Sequence, residues 1–412
     1  MNNLTILFFG FFSVTSFCNG VCIEREKQAL LELKQGLVDP ADILASWVAN
    51  NGDCCGWKGV VCHNLTGHVL QLHLSAPTDY LDIYDSDDDF REDYATSQLS
   101  GKISHSLLHL KHLNYLNLSR NDFRGIQIPK FFGSLRSLRC LDLSRAGFAG
   151  KVPQYLRNLS NLQYLNLHGP IPCGFQNLTL LKHLDLSSNH FNSTIPDWLY
   201  NFSPLEFLNL MDNNLQGQIS NAIGEMSSAI HLDLSGNNNL EGKIPSFFPT
   251  VDLNSNNVTG PLPPVSSNLY FLDLSNNGLS GSINHFLCHE MNATMAMQIL
   301  NLGNNSLSGE LPDCWTKWSS VNIIILSKNR FSGEIPSSIG TLRDLNSLHL
   351  QNNNLSEEIP SSLRNCIELQ VLDLSENELD RNIPPWIGIN LTKLIILSLR
   401  SNKFWGHVGA MA

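Results

Sequence analysis

Three histidines, His105, His109 and His112, are spaced so that a helical turn would gather them on one side, where imidazoles can hold a zinc ion. Asp85-Ser-Asp87-Asp-Asp89 opens like a calcium loop, with carboxylates at alternate positions. It lacks the central Gly and the closing Glu of such a loop and reads as a solvated acidic insertion. The histidines read as a solvated face. There is no P-loop, no G-x-S-x-G, no H-E-x-x-H and no kinase-like Gly-rich loop with its lysine. The sequence therefore assigns no catalytic, metal or cofactor residue, and the chain is expected not to be an enzyme.

Covalent chemistry is better marked. The N-terminal MNNLTILFFGFFSVTSFCNG has an apolar run and then small residues at Cys18 and Gly20, and residues 1–20 read as a secretory signal peptide. Export favours disulfides over a metal site for Cys22, Cys54, Cys55 and Cys62. Four cysteines allow three pairings, and Cys54 rarely joins Cys55, because adjacent Cα atoms are only ~3.8 Å apart. Cys288 and Cys314, 26 residues apart, are expected to bond, while Cys140, Cys173 and Cys366 read as unpaired. N-x-S/T sequons follow the signal at Asn64, Asn117, Asn158, Asn177, Asn192, Asn201, Asn257, Asn292, Asn304, Asn354 and Asn390, which implies a heavily glycosylated surface.

The formal charge of −11 is uneven. Residues 79–93 carry eight acids against Arg91 and hold −7 of it, leaving −4 for the rest. No broad basic footprint for nucleic acid is present. No later apolar run approaches the roughly 18–20 residues of a membrane span. The chain as given is expected outside the cell, in the apoplast.

The elements that would position these groups follow from a repeat. L-x-x-L-x-L-x-x-N recurs from Leu113, with starts at Leu181, Leu205, Leu269, Met297, Val321, Leu345, Leu369 and Leu394 and weaker copies at Val69, Leu138, Leu162, Ala229 and Phe248. The commonest step among these fourteen starts is 24 residues, the period of a leucine-rich repeat. L-x-L marks a short strand with two inward leucines, which one coil cannot bury alone, so coils must stack. The ninth-position Asn, such as Asn121, Asn213 and Asn377, is expected to turn inward and bond backbone groups of neighbouring coils. The fold class is an α/β solenoid with a parallel concave β-sheet and short 3₁₀ or irregular convex segments. Three coils are short, after Leu162, Ala229 and Phe248, and thinner convex structure is expected there.

Residues 22–62 suit a cap: Ala29, Leu30, Leu33 and Leu37 have helical spacing, Asp39-Pro40 would end the helix, and Trp47 and Trp57 are expected to be buried. The domain reading is signal peptide 1–20, cap 21–65, repeats 66–408 with an acidic insertion at 76–97, and a truncated end at 409–412. On the concave face the outward column holds Tyr115, Cys140, Tyr164, His183, Phe207, His231, Thr250, Phe271 and then mostly aliphatic residues. Tyr164, His183, Phe207, His231 and Phe271 are the candidate ligand-binding residues, because aromatics on a rigid sheet make good anchors. Asn117 lies in the neighbouring column, where a glycan would obstruct the first coils.

L-x-G-x-I-P follows the asparagine, as in FSGEI-Pro336, and resembles the plant-specific leucine-rich-repeat family. D-C-C-x-W-x-G-V-x-C at 53–62 is similar to the N-terminal cap of plant leucine-rich-repeat receptors and implies Cys22–Cys54 and Cys55–Cys62. CIEREKQALL, TGHV, QLSGKIS, ELPDCW and LRSNKFWG together resemble plant receptor-like proteins, nearest to the receptors of fungal ethylene-inducing xylanase. The resemblance implies defence signalling at the plasma membrane, a microbial protein or peptide elicitor as ligand, and a partner receptor kinase. It also implies a C-terminal cap and a membrane helix, which are missing after HVGAMA. The alternative is a secreted inhibitor or decoy of a microbial wall-degrading enzyme, similar to polygalacturonase-inhibiting proteins.

Overall fold

A typical coil begins with a leucine triplet. Leu345, Leu348 and Leu350 are fully buried, and between them Ser347–His349 forms a strand whose Ser347 and His349 face outward. Alternation across a strand requires this split. Burying one such leucine contributes roughly 1.5–3 kcal/mol, but only against the leucines of the next coil. The computed structural model describes residues 20–50, 52–76, 98–149, 153–167, 175–189, 191–242, 244, 249–264, 266–288 and 294–405. Most of the signal segment, the acidic insertion, Cys173 and Asn292 lie outside these residues. The chain divides into two compact units, residues 1–162 and 163–412.

In the first unit, Val69–His73, Tyr115–Asn117 and Cys140–Asp142 pair in parallel. Val60–Cys62 adds antiparallel to the Val69–His73 edge and closes it. The cap helix runs Glu24–Gly36 and buries Ala29, Leu30 and Leu33. Leu37, expected as its next apolar rung, lies beyond the helix, in the strand Leu37–Val38, which pairs with Ser100–Gly101. The backbone has turned extended at Leu37 (φ −93°, ψ 147°), ahead of Asp39-Pro40. Pro40 restricts only its predecessor Asp39, and the earlier stop at Gly36 accompanies the pairing of Leu37–Val38 with Ser100–Gly101. Cys22 is bonded to Cys54 and Cys55 to Cys62. Trp47 and Trp57 are buried and stacked at 5.7 Å, and the Trp47 indole N–H donates to the Lys58 carbonyl.

In the second unit the strands Tyr164–Asn166, His183–Asp185, Phe207–Asn209, His231–Asp233, Thr250–Asp252, Phe271–Asp273, Ile299–Asn301, Ile323–Ile325, Ser347–His349, Val371–Asp373 and Ile396–Ser398 form a parallel ladder in sequence order. Each ladder asparagine ties coils together. Asn213 Nδ2 donates to Leu186 O of the preceding coil and to Leu210 O of its own, while Oδ1 accepts from Phe191 N. A second, lateral sheet runs from Thr259–Gly260 to Glu378–Leu379, where the L-x-G motif predicts an extra strand. Gly333 ends one of its strands at φ +77°, a region open mainly to glycine. Pro196, Pro336 and Pro360 then open 3₁₀ turns, each with φ near the value proline imposes. In the short coils beginning at Ala229 and Phe248, no helical turn is found among the described residues, yet strands His231–Asp233, Thr250–Asp252 and Phe271–Asp273 stay in register. Cys288 is bonded to Cys314 beside Trp318, whose indole N–H donates to Leu287 O.

Candidate functional site

The outward column of the second unit's ladder carries the candidate residues. Parallel strands about 4.8 Å apart repeat one position at ring-stacking distance. Tyr164, His183, Phe207 and His231 occupy that position on four consecutive strands. Their rings stack at 4.1, 4.1 and 4.4 Å with interplanar angles of 10°, 8° and 7°. The result is one ribbon of four nearly parallel rings, half-buried at its base. Phe271, the fifth candidate, stands apart: Thr250 occupies the intervening strand.

Two residues further along the same strands lies a column that the aromatic search missed. It reads Asn166, Asp185, Asn209, Asp233, Asp252, Asp273 and Asn301. Its signal was the recurrent Asp of L-D-L-S. Each Asp directs Oδ1 into the following turn, as Asp233 does to Ser235 N and Oγ and Asp252 to Asn254 N and Nδ2. The second oxygen faces outward. Asn166 donates to that oxygen of Asp185, and Asn301 to that of Asp273. Among the described residues, no donor is recorded at Oδ2 of Asp233 or Asp252.

Burial shifts the titration of His183, His231 and Asp252. It depresses His183 to about 4, with His231 adding to the effect. His231 is also lowered by burial, against the opposing pull of Asp233 and Asp185. Burial raises the Asp252 carboxyl to about 7, reinforced by Asp233 and Asp273 on the flanking strands. His183 therefore stays neutral in mildly acidic solution, and in the neighbouring column Asp252 holds a proton there.

The other sequence candidates do not converge. His105 lies against Phe131 and His112 against His68, each at about 4 Å between ring centres. Among the described residues, the sulfurs of Cys22, Cys54 and Cys55 form the one group with metal-ligand proximity, and all three are disulfide-bonded. Cys140 and Cys366 are free thiols, pushed by burial to about 12 and about 11. The sequon asparagines 64, 158, 177, 192, 201, 257, 304, 354 and 390 are exposed, whereas Asn117 is half-buried and its Oδ1 accepts from Ser119 N. Among the described residues of the second unit, no sequon stands in the ring or carboxylate column. Asn177, Asn201 and Asn390 end helical turns on the far side of their coils.

Known proteins share this architecture. Residues 23–63 match the leucine rich repeat N-terminal domain, and seven segments between 112 and 389 match the leucine rich repeat. The chain thus carries a leucine-rich-repeat N-terminal domain and leucine-rich repeats, and it is similar to plant receptor-like proteins of the EIX group. Receptor-like protein EIX1 of Solanum lycopersicum is 39% identical over 167 residues, which cover 38% of this chain and 15% of that protein. Receptor-like protein EIX2 of the same species is 41% identical over 135 residues, covering 32% and 12%. The alignments thus span less than one sixth of those relatives. Among solved structures, a TDR receptor superposes with a TM-score of 0.69 at 28% identity, over 76% of this chain and 55% of that one. The plant peptide hormone receptor RGFR1, in complex with RGF2, gives 0.63 at 29%, over 75% and 58%. Among the described residues, no helix is long and apolar enough to cross a membrane.

Proposed function

We propose that this chain is the recognition part of an extracellular plant receptor-like protein in defence signalling. It takes a microbial protein or peptide on the ladder face of residues 163–412. It enters the secretory pathway on residues 1–20, carries N-glycans at its exposed sequons, and acts at the plasma membrane through a partner receptor kinase. The observation that carries this reading is the ribbon Tyr164–His183–Phe207–His231 on a strand face without sequons. Rigid, half-buried aromatics lose little entropy on binding and make strong anchors. The similarity to receptor-like proteins, and to a receptor solved with a peptide hormone, favours a receptor over a secreted inhibitor.

The test is direct binding. The glycosylated chain, secreted from plant cells, is titrated with a fungal ethylene-inducing xylanase, other purified microbial extracellular proteins, and a displayed random-peptide library. Phe207→Ala is expected to weaken any specific ligand at least tenfold while thermal unfolding stays cooperative. If no ligand binds, or if bound ligands ignore Phe207→Ala and His183→Ala alike, the reading is wrong.

A further inference from the structure

The ring ribbon has a missing rung. His231 ends the stack, Thr250 follows on the next strand, and Phe271 stands on the one after. Two strand spacings separate the positions of His231 and Phe271, about 9.6 Å. A stacked ring in this ribbon takes 4.1–4.4 Å. The space over the short Thr250 side chain therefore has room for one flat group at van der Waals distance from each neighbour.

The charge beside this gap is one-sided. Asp252 shares the strand with Thr250 and the same face, about 7 Å along the chain. Asp233 and Asp273 flank it in exact register. Asp273 has an outer partner in Asn301, but among the described residues none is recorded for the outer oxygen of Asp252 or Asp233. Lys182, the cation of the neighbouring column, is spent on Glu206 at 2.6 Å.

We propose that the gap over Thr250, between His231 and Phe271 and beside Asp233, Asp252 and Asp273, is a slot for the guanidinium of an arginine side chain carried by the ligand. This rests on the recognition reading above and names the chemistry of one anchor. A guanidinium is planar, stacks on aromatic faces and presents paired N–H donors to carboxylates. An ammonium offers the charge without the plane, and a neutral urea offers the plane without the charge. Burial first, and then the repulsion of Asp233 and Asp273, raise the Asp252 carboxyl, and an arriving cation offsets that repulsion.

The experiment uses the full secreted chain and three small probes: the N-acetyl methylamides of arginine, citrulline and lysine. Saturation-transfer NMR measures their affinities. Arginine is expected to bind at least fivefold more tightly than citrulline or lysine. Asp252→Asn and Thr250→Phe should each erase that preference. Asn already serves this column, since Asn209 Oδ1 accepts from Met211 N as the aspartates do, so Asp252→Asn keeps the turn. Thr250→Phe supplies the missing ring and fills the slot. Equal binding of the three probes, or a preference untouched by both variants, overturns the proposal. The two readings fail separately. Macromolecular ligands lost by Phe207→Ala but indifferent to basic residues sink the slot alone. An arginine probe that docks while no protein or peptide binds sinks the recognition reading alone.

Discussion

Asn377 Oδ1 accepts the backbone N–H of Leu355, one coil earlier, at 3.0 Å, and through this bond a side chain replaces what a backbone ladder cannot reach. Its amide also donates to Leu350 O and Leu374 O at 2.9 and 3.2 Å, and the residue is buried. Asn377→Ala is expected to cost about 2–4 kcal/mol, since it strands a buried donor and buried carbonyls. Asn377→Asp should cost as much, because it loses the donor. Urea unfolding followed by intrinsic fluorescence measures both. A loss below ~1 kcal/mol would mean that water satisfies these groups instead.

Glu357 occupies the position that Gly333 holds one coil earlier, and it takes φ +66° where Gly333 takes +77°. A side chain in the left-handed region costs roughly 1–2 kcal/mol. Glycine adds disorder to the unfolded chain, which offsets part of the gain. Glu357→Gly is expected to stabilise the chain by about 0.5–1 kcal/mol. Differential scanning calorimetry should show a higher midpoint, and a lower one would refute the strain argument.

Glu26 joins the cap to the first strand. Its carboxylate lies 2.8 Å from His68 Nδ1 and accepts from Val69 N at 2.7 Å, with only 4% of the residue exposed. Glu26→Ala leaves the Val69 N–H buried and unpaired and should cost about 2–3 kcal/mol. Glu26→Gln retains an acceptor and should cost less than half as much. Hydrogen exchange at Val69 is the readout: fast exchange in Ala and slow in Gln is expected, and equal protection in both contradicts the assignment.

The ring and carboxylate columns pull stability in opposite directions with pH. His183 titrates near 4 in the fold against 6.5 ordinarily, so the unfolded chain gains its proton first as pH falls. Stability is lost between pH 6.5 and 4. Asp252 titrates near 7 against 3.8, so the unfolded chain loses its proton first as pH rises, and stability is lost between 3.8 and 7. His183→Phe keeps the stack and should gain about 1 kcal/mol on wild type at pH 5 relative to pH 7.5, discounted for solvent screening. Asp252→Asn should gain a similar ~1 kcal/mol at pH 7.5 relative to pH 4. Curves parallel to wild type from pH 4 to 8 would show that neither group is perturbed.

The sequence alone determined the coil. Leu, Leu-x-Leu and Asn at fixed spacing dictate a strand with inward leucines and an inward amide, because neither can be left exposed or unpaired in a stacked array. The short coils at Ala229 and Phe248 were legible too, since their missing residues come from the convex segment and leave the ladder strands in register. Leu37 was misplaced because apolar spacing does not reveal that Leu37–Val38 pairs as a strand with Ser100–Gly101, a partner distant in sequence.

Tertiary structure decided the site. The sequence offered five aromatic candidates in one column as equals, from Tyr164 to Phe271. Only the in-register pairing of strands shows that four stack into a ribbon and that Thr250 separates the fifth. The aspartates drew no attention in the sequence, and only the strand register sets Asp233, Asp252 and Asp273 side by side. Burial and like charge are properties of neighbours, and residues about 20 positions apart become neighbours only when the coils stack.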